Sequence, residues 1–117
     1  MDIKIISSPI PISELAKLAK KQFGDLIKAT VDIKKGIMAL GGELHADEEQ
    51  LLLDNGSAQY DLWGINLHPD KFGSDDFIEY DSMINIRPSQ NNRSRGVEDK
   101  STRDRIQTVI GQLVNGD

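Results

Sequence analysis

The chain has 117 residues, a formal net charge of −5 and no cysteine, and it is 38% hydrophobic and 28% charged. This length allows one hydrophobic core, so we expect a single domain over residues 1–117. The composition predicts a folded globular protein and excludes a disulfide framework, a thiolate nucleophile and a cysteine zinc site. No apolar run approaches the ~20 residues that cross a membrane. The absence of cysteine and the absence of such a run both fit a cytoplasmic protein with no membrane partner.

The first 40 residues predict a helix followed by a β-hairpin. Ser13 is placed to cap the helix and Gly24 to end it, and between them apolar residues recur at helical spacing: Leu15, Leu18, Ala19 and Phe23. Residues 27–33 alternate apolar and polar side chains, and residues 37–40 follow a Lys-Lys-Gly turn, so we expect two antiparallel strands. Residues 3–6 are a further short strand candidate.

The remaining residues predict a second helix, a second hairpin and a third helix. Carboxylates at 47–49 begin the second helix and Asn55-Gly56 ends it. Residues 62–67 and 78–87 are the next two strands, the latter with a bulge near Ser82. Ser101 is placed to cap the third helix and Gly116 to end it, and its apolar stripe is Ile106, Val109, Ile110, Leu113 and Val114.

The predicted order is therefore helix, hairpin, helix, hairpin, helix. Because both hairpins alternate, the sheet should have one apolar face and one wet face. We predict an α+β domain with an antiparallel sheet of about four strands, or five if the first strand joins, and helices packed on one face.

Positive charge is concentrated between the last strand and the last helix of an otherwise acidic chain. Residues 87–105 carry a net charge of +3, which leaves −8 for the remainder. An acidic body lacks the basic face that non-specific duplex nucleic-acid binding needs, whereas Arg93 and Arg95 can direct two guanidinium groups at one small anion or phosphate group. We predict a ligand of that kind, bound by Arg87, Asn91, Asn92, Arg93 and Arg95.

A second interpretation of the same loop requires no ligand. Glu98 and Asp99 follow Arg93 and Arg95 by three to six residues and can pair with their guanidinium groups. The loop would then be an internally braced connection between strand and helix. The sequence leaves both interpretations open.

The other candidate site is the acidic segment 41–49 around His45. One imidazole among four carboxylates is typical of a general base or a divalent-metal site, so a metal-dependent hydrolase or nuclease-like enzyme is an alternative function, with His45 and Glu43 as proton-transfer residues. The spacing of His45 and Glu49 is a weak metal pattern, and the carboxylates can instead serve the helix dipole. No metal ligand and no cofactor is assigned.

Two further possibilities depend on the fold. If the acidic segment meets the loop that carries Arg93 and Arg95 (the arginine loop), Glu43 or Asp47 can pair with Arg87, Arg93 or Arg95. The result would be either a structural network or a site with acid, base and anion holder together, and the sequence leaves both open. A structural or protein-interaction role, including a homodimer, is the third alternative, since an open sheet edge invites pairing.

Three segments together resemble a known family. They are Gly-Glu-Leu-His-Ala-Asp-Glu-Glu at residues 42–49, Leu-Trp-Gly-Ile-Asn-Leu at 62–67, and the arginine-containing stretch at 85–97. They are similar to a family of short prokaryotic proteins known only as a domain of unknown function, over about Ile5 to about Leu113. The resemblance implies a stand-alone single domain and supplies no substrate, cofactor or catalytic residue.

Overall fold

The computed structural model describes residues 2–117, and its centre is a five-stranded antiparallel sheet. In chain order the elements are β1 (Lys4–Ile6), β2 (Ile10–Pro11), α1 (Ile12–Lys20), β3 (Ile27–Asp32), β4 (Ile37–Leu40), α2 (His45–Asp54), β5 (Leu62–Leu67), β6 (Ile78–Glu79), α3 (Lys100–Leu113) and β7 (Val114–Asn115). The sheet order is β1-β4-β3-β5-β6, and β2 and β7 form a separate parallel pair that joins the two ends of the chain. Within the described residues, none of the helices combines the length and the apolar character that crossing a bilayer requires.

The α+β class is confirmed, and the predicted element order is confirmed only in part. The first strand joins the sheet and makes five strands, the number expected for that case. The short strands β2 and β7 were not predicted, because two residues are too few to show an alternating pattern.

The prediction that the helices pack on one face is wrong. Ala29 and Val31 of β3 share a face with the apolar residues of α1 and α3, in the main core cluster. On the opposite face Ala39 and Leu62 pack against Leu52 of α2. The sequence suggested a wet face because Lys28, Thr30 and Asp32 are polar, but Ala39 and Leu62 give that face an apolar area on which Leu52 packs.

Three of the predicted helix boundaries are wrong, two of them because the caps come from elsewhere. Ser13 lies inside α1, and its backbone N–H donates to the carboxylate of Asp117, 3.0 Å away, so the C-terminal segment caps the first helix. Asp99, not Ser101, caps α3 by accepting a hydrogen bond from a first-turn amide. That helix ends at Leu113, before Gly116, because the next two residues pair with β2.

The predicted strand at 78–87 is also wrong beyond its first two residues. Only Ile78 and Glu79 pair with β5. The chain then turns through two short 3-10 helices, Met83–Asn85 and Pro88–Gln90, while it continues alongside the same strand. The side chains in this stretch take over the role that a strand backbone would have had.

Candidate functional site

Asn85 takes the place of the missing strand backbone at the centre of β5. Its side chain is fully buried (0% exposed). Its Oδ1 accepts the backbone N–H of Gly64 at 2.8 Å, and its Nδ2 donates to the Gly64 carbonyl at 2.9 Å and to the Arg95 carbonyl at 3.0 Å. One side-chain amide therefore satisfies both backbone groups of a buried strand residue and ties the arginine loop to the sheet.

Arg87 completes the same edge. Its guanidinium group donates to the carbonyls of Gln59 and Leu62 and lies over the ring of Trp63, 4.1 Å from the ring centroid. The side chain is buried, and desolvation lowers its pKa while the nearby Glu49 carboxylate raises it. The structure thus places this predicted anion-positioning residue in a structural contact with backbone and an aromatic ring.

Asn92 and Glu98 brace the arginine loop from inside. Asn92 is buried, its Oδ1 accepts the backbone N–H of Glu98, and its Nδ2 lies within hydrogen-bonding distance of three loop carbonyls, those of Asn85, Ser94 and Gly96. The Glu98 carboxylate accepts the backbone N–H groups of Arg93 and Ser94 at 2.7 and 2.9 Å, which lowers its pKa. The loop is internally braced, but through backbone amides rather than through guanidinium groups.

The two central arginines of the loop therefore keep most of their donors. Arg95 uses Nε to bond Asp81 and its side chain is about half exposed, and Arg93 is also exposed. Neither Nη atom of Arg95 and no guanidinium nitrogen of Arg93 has a partner within residues 2–117. Asn91 is exposed in a left-handed conformation (φ 59°) beside a cavity of about 400 Å³ that Trp63 also lines.

His45 is the first residue of α2 and is almost buried, at 6% exposed. Its Nε2 donates to the carbonyl of Ile65 at 2.7 Å, so the neutral ring carries its proton there and keeps a lone pair on Nδ1. No partner for Nδ1 lies within the described part of the chain. Burial lowers the pKa of His45, Lys28 and Arg95 lower it further, and the Ile65 bond and Asp81 raise it.

Gly64 is the point at which α2, β5 and the arginine loop meet. A Cβ atom there would lie 2.5 Å from Ser82 Oγ and 3.1 Å from His45 Cδ2, so both side chains rest directly on the glycine backbone. Ser82 in turn donates its backbone N–H to the Arg95 carbonyl at 2.9 Å. The absence of a side chain at this one strand position is what brings His45 beside the arginine loop.

Lys28 adds a second cation to this junction and was not among the site residues predicted from the sequence. Thr30 pairs with Gly64 and Lys28 pairs with Asn66, so Lys28 and Gly64 face the same side of the sheet. The only sequence signal for Lys28 was strand parity, which predicts its face but not its neighbours. Asp81 was also missed, because its only sequence signal was its parity in the strand predicted at 78–87, and the paired strand ends at Glu79.

Glu48 and Glu43 have different environments although both were grouped with His45. Glu48 is fully buried, accepts the Gly42 backbone N–H at 2.9 Å and lies 3.0 Å from Thr30 Oγ1. Burial raises its pKa to about 9, so it is a neutral acid at pH 7 rather than a partner of the helix dipole. Glu43 is exposed, and neither it nor Asp47 forms an ion pair with an arginine in residues 2–117.

The alternative of a metal-dependent enzyme requires a cluster of metal ligands around His45. Among residues 2–117, no group of three or more His, Asp or Glu side chains is arranged to hold a metal ion. His45 has its Nε2 committed to a backbone carbonyl, and the neighbouring Glu48 is neutral and bonded internally.

The segments that converge at Gly64 are those that suggested a family, and the comparison with family models supports them. A family described as "Protein of unknown function (DUF5674)" matches residues 4–113. The chain belongs to the DUF5674 family. The predicted resemblance to a domain of unknown function is thereby confirmed, whereas the prokaryotic origin stays a prediction. Neither the search of curated proteins nor the search of solved structures found a match. DUF5674 membership assigns no ligand or reaction, so any function must be argued from the junction itself.

Proposed function

We propose that this DUF5674 protein binds a small anionic ligand, through a phosphate or carboxylate group, where Lys28 and Arg95 flank His45. The observation that carries the proposal is the orientation of the imidazole. Because Nε2 is fixed to the Ile65 carbonyl, Nδ1 remains a free acceptor in a neighbourhood that contains two cations and one carboxylate.

Each charged group has a distinct role in this proposal. Asp81 holds Arg95 through Nε, which leaves the two Nη nitrogens for the oxygens of an anion. Lys28 supplies a second positive charge from the sheet. His45 is neutral at pH 7, and the free lone pair on its Nδ1 equips it to act as a general base if the ligand is a substrate.

The sequence-based version of the site shares one arginine with this proposal. It expected Arg93 and Arg95 to hold the anion together, with Arg87, Asn91 and Asn92. The internal bonds of Arg87 and Asn92 support a scaffold role for those two, whereas Arg93 has a free guanidinium group two residues from Arg95. Arg93 therefore separates the two versions experimentally.

The test is a titration of the ¹⁵N-labelled protein with inorganic phosphate, sulfate and acetate at constant ionic strength. Saturable shifts are expected at the amides of residues 44–46, 64 and 95. Because a charge-assisted hydrogen bond is worth roughly 1.5–3 kcal/mol, Arg95→Gln should weaken binding by about tenfold or more, and Lys28→Gln should also weaken it.

Arg105→Gln is the matched control, and Arg93→Gln separates the two versions of the site. Arg105→Gln removes a guanidinium group from the exposed face of α3 and should leave the affinity unchanged. Arg93→Gln should weaken binding only if the anion contacts Arg93 together with Arg95, as the version predicted from the sequence requires. The absence of a saturable shift with all three anions, or an equal loss of affinity in Arg105→Gln and Arg95→Gln, would contradict the proposal.

A further inference from the structure

A cavity of about 390 Å³ lies between the end of α1 and the residues that precede His45. It is lined by Lys21, Gln22, Phe23, Glu43 and Leu44. Gln22 is held in place in this lining, since its side-chain amide donates to the Gly41 carbonyl at 2.6 Å. The two large apolar side chains that line the cavity walls are those of Phe23 and Leu44.

Both apolar walls are unusually open to solvent. Leu44 is 60% exposed and Phe23 is 44% exposed, although each belongs to a residue type that normally packs inside. Two large apolar side chains across one cavity form a small exposed apolar patch, the kind of surface that marks a ligand site. The charged residues at its rim, Lys21 and Glu43, are of opposite sign and offset each other.

Lys28 connects this cavity to the anion site. Its ammonium group lies 5.4 Å from the centroid of the Phe23 ring. By the strand register it faces the same side of the sheet as Gly64, on which His45 rests. Leu44 directly precedes His45. The apolar cavity and the proposed anion site are thus neighbours along both the sheet and the chain.

We propose that the ligand is an amphipathic anion, with its acidic group at Lys28 and Arg95 and an apolar or aromatic group in the cavity between Phe23 and Leu44. This inference rests on the proposed function and adds the chemical class of the ligand. A ring seated against Phe23 removes exposed apolar surface from water on both partners, and its attached phosphate or carboxylate lies within reach of the Lys28 ammonium group.

The test compares inorganic phosphate with phenyl phosphate on the full chain, by the same amide titration. Phenyl phosphate should bind at least tenfold more tightly. Phe23→Ala and Leu44→Ser should each remove most of that advantage, and Leu44→Ser should leave the affinity for inorganic phosphate unchanged. Leu44→Ser alters a largely exposed side chain, so it remains informative if Phe23→Ala fails to fold.

Tyr60→Ser is the matched control, because Tyr60 is as exposed as Leu44 and does not line the cavity. Equal affinity for the two phosphates, both weakened in Arg95→Gln, would overturn the amphipathic ligand and leave the proposed function standing. Tighter binding of phenyl phosphate that survives both cavity substitutions would likewise overturn it. Failure of both phosphates to bind would refute the proposed function and this inference with it.

Discussion

The buried carboxyl group of Glu48 leads us to predict that the free energy of unfolding depends strongly on pH. Its carboxyl group is fully buried between α2 and the sheet, bonded to the Gly42 amide and beside the Thr30 hydroxyl, and burial raises its pKa from 4.5 to about 9. In the unfolded chain the same group is exposed to water and ionises near its ordinary value. Between these two values the folded protein keeps a proton that the unfolded protein releases.

The sign of the effect follows from that difference. A raised folded-state pKa means that the contribution of Glu48 is fully present below pH 4.5 and is lost as the pH rises toward 9. Each pH unit in this window lowers the free energy of unfolding by a little over 1 kcal/mol, or about 4 kcal/mol between pH 5 and pH 8. Glu48→Gln removes the titration and preserves the shape and the hydrogen-bonding capacity of the neutral acid.

The assay is urea denaturation of the wild type and Glu48→Gln at several pH values from 5 to 8. Other titrating groups are common to both proteins, so the difference between their unfolding free energies isolates Glu48. We expect that difference to grow in favour of the variant by about 4 kcal/mol as the pH rises. Glu43→Gln, at an exposed position in the same segment, should run parallel to the wild type. Parallel profiles for Glu48→Gln as well would refute a neutral buried acid.

Four further outcomes are expected. Gly64→Ala should lower the free energy of unfolding by about 1–3 kcal/mol, because the new methyl group overlaps Ser82; an unchanged denaturation midpoint would show that the contact yields. Asn85→Ala leaves both Gly64 backbone groups unpaired, so a loss of roughly 2–4 kcal/mol is expected by the same assay. Asp117→Ala removes the carboxylate that caps α1, and thermal unfolding should report a lower melting temperature than that of the wild type. His45 should titrate below pH 6.5 by NMR, and its pKa should rise when phosphate is saturating, since a bound anion favours the imidazolium; a pKa unaffected by phosphate would place the anion elsewhere.

The parts of the fold that were predicted correctly are those encoded by long periodic segments. The stripe from Ile106 to Leu113 spans about two helical turns, and α3 occupies that region. The hairpin of β3 and β4 likewise has an alternation and a turn that act locally. These features depend on neighbours in sequence, so a sequence pattern is sufficient to identify them.

The strand predicted at 78–87 failed for the opposite reason. Ile78, Tyr80, Ile84 and Ile86 imitate a strand alternation, but the residue that decides the structure is Asn85. Its amide reaches Gly64, 21 positions away, and that bond replaces a strand backbone. No local pattern distinguishes an asparagine that bonds a distant backbone from one that faces solvent.

In the candidate site too, some residues were identifiable from the local sequence and others only from the fold. His45 was identifiable as a lone imidazole in an acidic segment, and Arg95 as one of a pair of arginines. Lys28 has the pattern of a solvated strand residue, and only the register with β5 places it on the face of Gly64. Residue type therefore indicated the chemistry, whereas the pairing of strands decided which groups share a site.

Arg87 has a structural role and Arg95 has the proposed ligand-binding role. This difference explains why the arginine loop is rigid next to the proposed site. Arg87 has no carboxylate partner within residues 2–117, and its planar fork instead bonds two carbonyls and stacks on Trp63, a combination that a lysine ammonium cannot reproduce. Asn85 and Asn92 fix the backbone on either side of that anchor. A loop held at three buried points presents Arg95 with little freedom left to lose on binding, and such preorganisation lowers the entropic cost of capturing an anion. The polar residues that bind no ligand in this proposal are thus the ones that position the arginine that does.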